Sequence, residues 1–225
     1  MRIVGFGAHP DDVEIFFFGT LAAARAGGAE IGWVIATDGA KGGAGPAGEV
    51  PATRQEEATK AAALLGVTPE FLGRVDGELA SDSAAASLIE EAILRLKPDL
   101  VITHAPNDYH PDHRALSRLV ADGARFRAPV LFADTLLGVG FEPTIYVDVT
   151  AHRALKVEAI RKHLSQRPER FIESTEVWNR FRALQCNAGT GYAEAFRFDP
   201  AYPFADIRAL LPAAPAISPL PVLRA

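Results

Sequence analysis

The sequence predicts a single-domain α/β fold, a Rossmann-like three-layer sandwich around a mainly parallel central sheet. Short apolar runs alternate with longer helical patterns, the order that produces parallel strands joined by helical crossovers. The runs read as buried strands, bounded by polar and glycine-containing turns. Two histidine-rich polar clusters follow directly on two of them, and in an open parallel sheet the carboxyl ends of the strands share one ligand-binding rim. With 225 residues the chain fits one domain of ordinary size. No internal repeat and no linker divides it, so residues 1–200 are assigned to the domain and residues 201–225 to a Pro-rich C-terminal tail.

The elements follow in order. Arg2 to Gly7 is the first strand, and Asp12 to about Arg25 is a helix that is apolar nearly all round and hence well buried. Gly27-Gly28 ends it. Glu30 to Thr37 is the second strand, and Asp38 to Gly48, with five glycines and a lysine, is a loop over the same rim. The Ala-rich stretch Thr53 to Leu65 is a helix stopped by Gly66; Glu70-Phe71-Leu72 is a short strand. Ser83 to Leu96 is a helix halted before Pro98, and Asp99 to His104 is the next strand. Pro111 opens a helix to about Ala124, a position where proline is tolerated. Pro129 to Ala133 and Thr144 to Val149 read as strands, Ala151 to Leu164 and Ser174 to Asn187 as helices. From Leu210 onward four prolines among apolar residues suit neither a helix nor a central strand, and either an extended arm on a neighbour or a loose tail is expected.

Composition narrows the function classes. At 48% hydrophobic and 23% charged residues the chain is globular rather than disordered or membrane-spanning. A net charge of −5 without a basic stripe gives no reason to expect nucleic acid, and an anionic substrate would need local Arg or Lys in its pocket. Cys186 is the single cysteine, so no internal disulfide forms and a reducing compartment is implied. Met1 leads straight into the first strand, and Phe16-Phe17-Phe18 is far too short to span a bilayer. A cytoplasmic location is the expectation, with no membrane partner.

The chemistry concentrates in two places. Ala8-His9-Pro10-Asp11-Asp12-Val13-Glu14 puts a histidine and adjacent carboxylates at the end of the first strand. Unpaired charge near a core costs several kcal/mol, roughly, and a metal cation is the simplest compensation. His9 and Asp12 offer nitrogen and oxygen ligands three residues apart, leaving Asp11 as a carboxylate beside whatever they bind. About a hundred residues later, Asn107-Asp108-Tyr109-His110-Pro111-Asp112-His113 again joins a strand to a helix. Two His and one Asp leave a position for water on zinc, the pattern of a catalytic site rather than a structural one. Ligands of this kind would also accept iron(II) or cobalt(II). Gly5-Phe6-Gly7 does not support dinucleotide binding, because the third glycine is missing and two aspartates stand where pyrophosphate would sit.

The pair His-Pro-Asp-Asp-x-Glu and His-Pro-Asp-His resembles the LmbE/PIG-L family of zinc-dependent N-deacetylases, which act on N-acetylglucosamine-type groups, including precursors of bacillithiol and mycothiol. The resemblance runs over residues 1 to 197, through Tyr146-Val147-Asp148-Val149, Lys156, His163-Leu164-Ser165-Gln166 and Tyr192-Ala193-Glu194-Ala195-Phe196. It implies zinc on His9, Asp12 and His113, and Asp11 as general base. It further implies His110 as the group that stabilises the oxyanion, with Asp112 orienting that histidine and keeping it protonated. Glu14 is read as support rather than ligand. Arg54 matches a family arginine that contacts substrate hydroxyls or an anionic aglycone, and Asp76 an acid that binds sugar hydroxyls. Asp108 stands where mycothiol-type members carry tyrosine, so the form is closer to bacillithiol-type members. His104, His152 and His163 receive no metal role, and His104 is a candidate to line the pocket. The expected partners are a small amino-sugar substrate and further copies of the chain, as a trimer or hexamer. The alternatives are an amidase on a thiol conjugate or acetylated natural product, and a non-catalytic sugar- or metal-binding homologue.

Overall fold

The computed structural model describes residues 1–43, 46, 48–187, 189–199 and 207–213, with residue 208 described in its backbone only. Its strands are β1 (Arg2–Gly7), β2 (Glu30–Thr37), β3 (Glu70–Arg74), β4 (Leu100–Thr103), β5 (Val130–Ala133), β6 (Ile145–Asp148) and β7 (Ala193–Phe198). They form one sheet in the order β3-β2-β1-β4-β5-β7-β6. The pairs β3–β2, β2–β1, β1–β4 and β4–β5 are parallel, whereas β7 runs antiparallel to both β5 and β6. The fold is therefore the α/β sandwich that the alternating pattern predicts.

Side chains alternate between two cores. Ile3, Trp33, Ile35, Leu100, Ile102 and Leu131 point to one face. Val4, Phe6, Val34, Val101, Val130 and Phe132 point to the other. The second face is covered by α4 (Ala85–Leu96) and α5 (Pro111–Ala124). The first is covered by α1 (Asp12–Phe16), α2 (Phe18–Ala26), α3 (Val50–Ala62), α6 (Arg153–Arg161) and α7 (Glu169–Gln185). Burial on both faces explains why the strands lack a polar side.

Two departures from the sequence reading matter for the site. The single helix expected from Asp12 is broken at Phe17, whose backbone is non-helical at φ −150°, ψ 17°. The break swings the Phe17 ring over β1, so close that a Cβ on Gly5 would stand 2.7 Å from it. It also frees the amides of Gly19 and Thr20, which donate to the buried Glu194 carboxylate at 2.9 and 2.7 Å. Lys156 Nζ, 2.5 Å away, balances that charge. Glu194 lies on β7, the strand missing from the sequence reading, which inserts between β5 and β6. Smaller differences concern ends: α7 begins five residues before the expected Ser174, and the segment from Ala151 opens with a 3-10 turn. Near the tail, Ile207–Leu210 forms a 3-10 turn, and residues 214–225, expected as an extended arm or a loose tail, lie outside the described residues. Among the described residues no helix is long and apolar enough to cross a membrane.

Candidate active site

Strand order reverses between β1 and β4, since β2 and β3 lie to one side and β5 to the other. The crevice beyond the carboxyl ends of such a pair is where open α/β sheets bind ligands. β1 runs out into His9 and β4 into His104 and the turn ending at His113, so the two polar clusters meet there. The cavity they share has a volume of about 260 Å3.

His9, Asp12 and His113 converge. His9 Nδ1 lies 3.2 Å from an Asp12 carboxylate oxygen and 3.3 Å from His113 Nε2. His113 Nε2 is 3.3 Å from the other Asp12 oxygen. Ligands about 2.0–2.1 Å from a tetrahedral zinc stand about 3.3 Å from one another, so the spacing fits the ion. The outward nitrogens are also provided for. His113 Nδ1 is 3.0 Å from Asp108 Oδ1, and His9 Nε2 is 3.3 Å from Asp76 and 3.4 Å from Asp112. Carboxylates behind ligating histidines fix ring tautomer and orientation. His104 adds a buried plate: its ring stacks on that of His113 at 3.8 Å and 10°, and its Nε2 accepts the Ala8 amide at 3.2 Å. Overlapping donor sets therefore exist, among them His9–His110–His113 and Asp12–His104–His113.

Asp11 sits beside this group and is held from behind. Arg54 Nη2 donates to Asp11 Oδ1 at 2.9 Å and to Pro10 O at 3.1 Å, while Nη1 donates to Gly39 O at 2.9 Å. The glycine loop folds tightly over that guanidinium: a Cβ on Gly42 would stand 2.5 Å from Nη1. Burial raises the Asp11 pKa, and the Arg54 charge opposes the rise. A carboxylate so poised accepts a proton more readily than an exposed one.

The other shifts follow from the same crowding. Burial would raise Asp12, but the charges of His113, His104 and His9 hold it well below the usual carboxylate range. Burial would depress His9 and His113. The carboxylates around them win, raising His9 well above its ordinary value and His113 to about 9. His104, fully buried and pressed against His113, is lowered to about 4. Asp76 is held at about 2, because hydrogen bonding and charge from His9 outweigh the effect of burial.

His110 caps α5. Its Nδ1 accepts the Asp112 amide at 3.2 Å, and its own amide donates to Asp108 Oδ1 at 2.9 Å. Burial and the neighbouring His9 and His113 lower its pKa. With Nδ1 acting as acceptor, the neutral ring carries its proton on Nε2. Asp112 is placed differently from the sequence reading. Its carboxylate accepts the amides of Gly77 and Leu79 at 2.6 and 3.2 Å and faces His9; what it gives His110 is a backbone N–H. Glu14 lies away from His9, Asp12 and His113, 2.6 Å from His163 Nε2 in a buried pair.

Arg54 and Asp76 both line the cavity, as do Lys41, Tyr109, Gln166 and Arg170. Sequence reasoning gave no role to Asp108 as partner of His113 or to His104 as its stacking surface. The signal for Asp108 was an acid five residues before a histidine in the first turn of a helix; the stacking of His104 had no local signal.

Comparisons with known proteins identify the family. The family described as PIG-L, GlcNAc-PI de-N-acetylase, matches residues 4–124. The diacetylchitobiose deacetylase of Thermococcus kodakarensis is 30% identical over 222 residues, covering 88% of this chain and 83% of that protein. The solved N,N'-diacetylchitobiose deacetylase of Pyrococcus horikoshii superimposes with a TM-score of 0.77 at 27% identity, covering 92% of this chain and 88% of that one. A 4-oxalmesaconate hydratase of Pseudomonas putida is 29% identical over 147 residues, covering 63% of this chain and 52% of that protein. With both polar motifs meeting at the switch point of the matching fold, this chain belongs to the PIG-L family of de-N-acetylases.

Proposed function

We propose that the protein is a zinc-dependent hydrolase that removes the N-acetyl group from an N-acetylglucosaminyl compound. The observation that carries the reading is the convergence of His9 Nδ1 and His113 Nε2, 3.3 Å apart, on the Asp12 carboxylate, one oxygen 3.2 Å from His9 and the other 3.3 Å from His113, with the buried Asp11 carboxylate beside it. These three residues would hold the ion, with Asp108, Asp76 and Asp112 behind the histidines. Zinc held there would act as a Lewis acid towards the acetyl carbonyl and lower the pKa of water.

The chain's own groups divide the remaining work. Asp11, kept in place by Arg54, takes the proton of the attacking water and returns it to the departing nitrogen. His110, neutral with its proton on Nε2, donates to the oxygen on which negative charge develops. Arg54 and Asp76 stand in the cavity wall where sugar hydroxyls would be read. The products are acetate and the free amino sugar.

Acetate release from N-acetylglucosamine, diacetylchitobiose, N-acetylglucosaminyl-inositol and N-acetylglucosaminyl-malate, with zinc-loaded and chelator-stripped protein, tests the proposal. Zinc-dependent release from any of them supports it. Zinc bound at one equivalent with no release across the panel, together with hydration of an unsaturated oxo-tricarboxylate, would replace it by the chemistry of the hydratase relative.

A further inference from the structure

Asp11 occupies an unusual backbone position. Its angles, φ 157° and ψ −16°, lie outside the regions an L-residue ordinarily adopts, and its side chain gives α1 no capping hydrogen bond. α1 runs for only five residues before the break at Phe17, too short to persist on its own. Packing of Val13, Ile15 and Phe16 seats it in the core. A polar tether is added one turn after Asp11 and on the same side of the helix. There the fully buried Glu14 accepts His163 Nε2–H on Oε1 at 2.6 Å.

His163 leads back to the base by a second route. It lies just beyond α6, and two residues later Ser165 binds α3: its amide and hydroxyl donate to the buried Glu57 at 2.8 and 2.6 Å. Three residues before Glu57, α3 carries Arg54, whose Nη2 donates to Asp11 Oδ1 at 2.9 Å. The contacts close a circuit, from Asp11 to Arg54, along α3 to Glu57, across to Ser165 and His163, and through Glu14 back to Asp11. Burial would lower the His163 pKa, but the carboxylates of Glu14, Asp11 and Glu57 outweigh it and raise it above its ordinary value. For stability alone the Glu14–His163 pair is a poor device. Glu14 Oε2 and His163 Nδ1 are buried with no hydrogen-bond partner among the described residues, and an apolar pair of similar size would fill the space without that cost.

We propose that Glu14 and His163 are positioning residues for Asp11, the far side of a closed circuit that aims its carboxylate at His9, Asp12 and His113. The inference rests on the deacetylase reading, in which Asp11 is the base. Arg54 fixes one oxygen of the carboxylate, and the tether at Glu14 fixes the helical turn from which that carboxylate projects. Displacing a catalytic group by about 1 Å can cost about 10²-fold in rate, which gives the circuit its use. Neither Glu14 nor His163 lines the cavity, so substrate affinity does not depend on them.

The test replaces the pair by apolar side chains. Zinc-loaded Glu14→Met/His163→Leu is expected to lose about 10–100-fold in kcat on N-acetylglucosaminides, with KM within about twofold, zinc bound at one equivalent and no fall in the denaturant midpoint. Glu14→Gln, which keeps an acceptor for His163 Nε2, should recover most of that rate. In an Asp11→Asn background the apolar pair should change kcat by less than about twofold, because its effect passes through Asp11. A near-normal kcat in the apolar variant, or an equal loss with and without Asp11, overturns the positioning role and leaves the deacetylase reading standing. Should the apolar variant not fold, Ser165→Ala opens the circuit at another point and enters the same cycle, with an expected loss of about threefold or more. If the wild type releases no acetate, the deacetylase reading has failed and amide exchange decides. The amides of Ile15 and Phe17, which donate to Asp11 O and Val13 O, should exchange about tenfold faster in the variant, and an unchanged rate refutes the anchor.

Discussion

If the proposed zinc binds at His9, Asp12 and His113, its entry must expel protons, by an amount that follows from the carboxylates packed around two histidines. Burial alone would leave both rings neutral. Asp12, together with Asp112 and Asp76 against His9 and Asp108 against His113, reverses that, so His113 titrates at about 9 and His9 well above its ordinary value. Metal binds the free-base ring, so each zinc entering at neutral pH displaces the His113 proton and most of that on His9. For His113 alone, the gap of two units between pH 7 and its pKa of about 9 weakens the apparent affinity about a hundredfold, or about 3 kcal/mol. Apparent affinity therefore rises about tenfold per pH unit for each histidine still protonated, and levels off in alkali. Chelator competition from about pH 6.5 to about pH 9, with calorimetry in buffers of different ionisation enthalpy, measures slope and proton release together. One to two protons per zinc, roughly, are expected. A flat profile, or release below about half a proton, would refute His9 and His113 as ligands.

Four further outcomes follow from the same geometry. Asp11→Asn should lower kcat by about 10²–10⁴ while zinc still binds at one equivalent, and a near-normal rate would remove Asp11 as base. Asp108→Asn takes the carboxylate from His113 Nδ1 and should weaken zinc about 10–100-fold in a chelator titration, with the fold intact by circular dichroism. Chelator-treated protein should melt highest near pH 6.5. The raised His113 gives stability that is full below its unfolded pKa and lost as pH climbs through about 9, and the depressed His104 gives stability lost as pH falls towards about 4. A melting temperature rising steadily from pH 5 to pH 9, roughly, would contradict this. Lys156→Met leaves the buried Glu194 carboxylate without its cation and should cost about 3–5 kcal/mol in denaturant unfolding, whereas a loss under about 1 kcal/mol would show the pair to be dispensable.

What could be read in the sequence depended on how local its cause was. β1 and β2 were legible because a run of apolar residues between turn signals is its own evidence, and α5 because Pro111 marks its first turn. The meeting of His9, Asp12 and His113 was legible, since the two motifs that carry them follow strands whose ends had to face the rim. The break at Phe17 was not: its cause is the space above Gly5 and a carboxylate on Glu194, 175 residues from the amide of Gly19 that it caps. β7 was missed because Ala193–Phe198 mixes Glu194 and Arg197 with apolar residues, and its pairing with β5 and β6 is wholly non-local. The orientation of Asp112 failed for a related reason. Two positions from His110 it looks like a partner, yet the amides of Gly77 and Leu79, brought in by another loop, turn its carboxylate to His9.

The place of β7 also orders events during synthesis. β6 pairs with no strand other than β7 among the described residues, and 44 residues separate the end of β6 from the start of β7. When Ile145–Asp148 leaves the ribosome, β5 still has an open edge, and the later strand must enter between the two rather than add to the outside. The nascent chain thus holds both histidine-bearing turns before the sheet can close. Opening of β7 in the finished protein releases β6 with it, so the amides of the two strands should exchange with solvent as one cooperative unit.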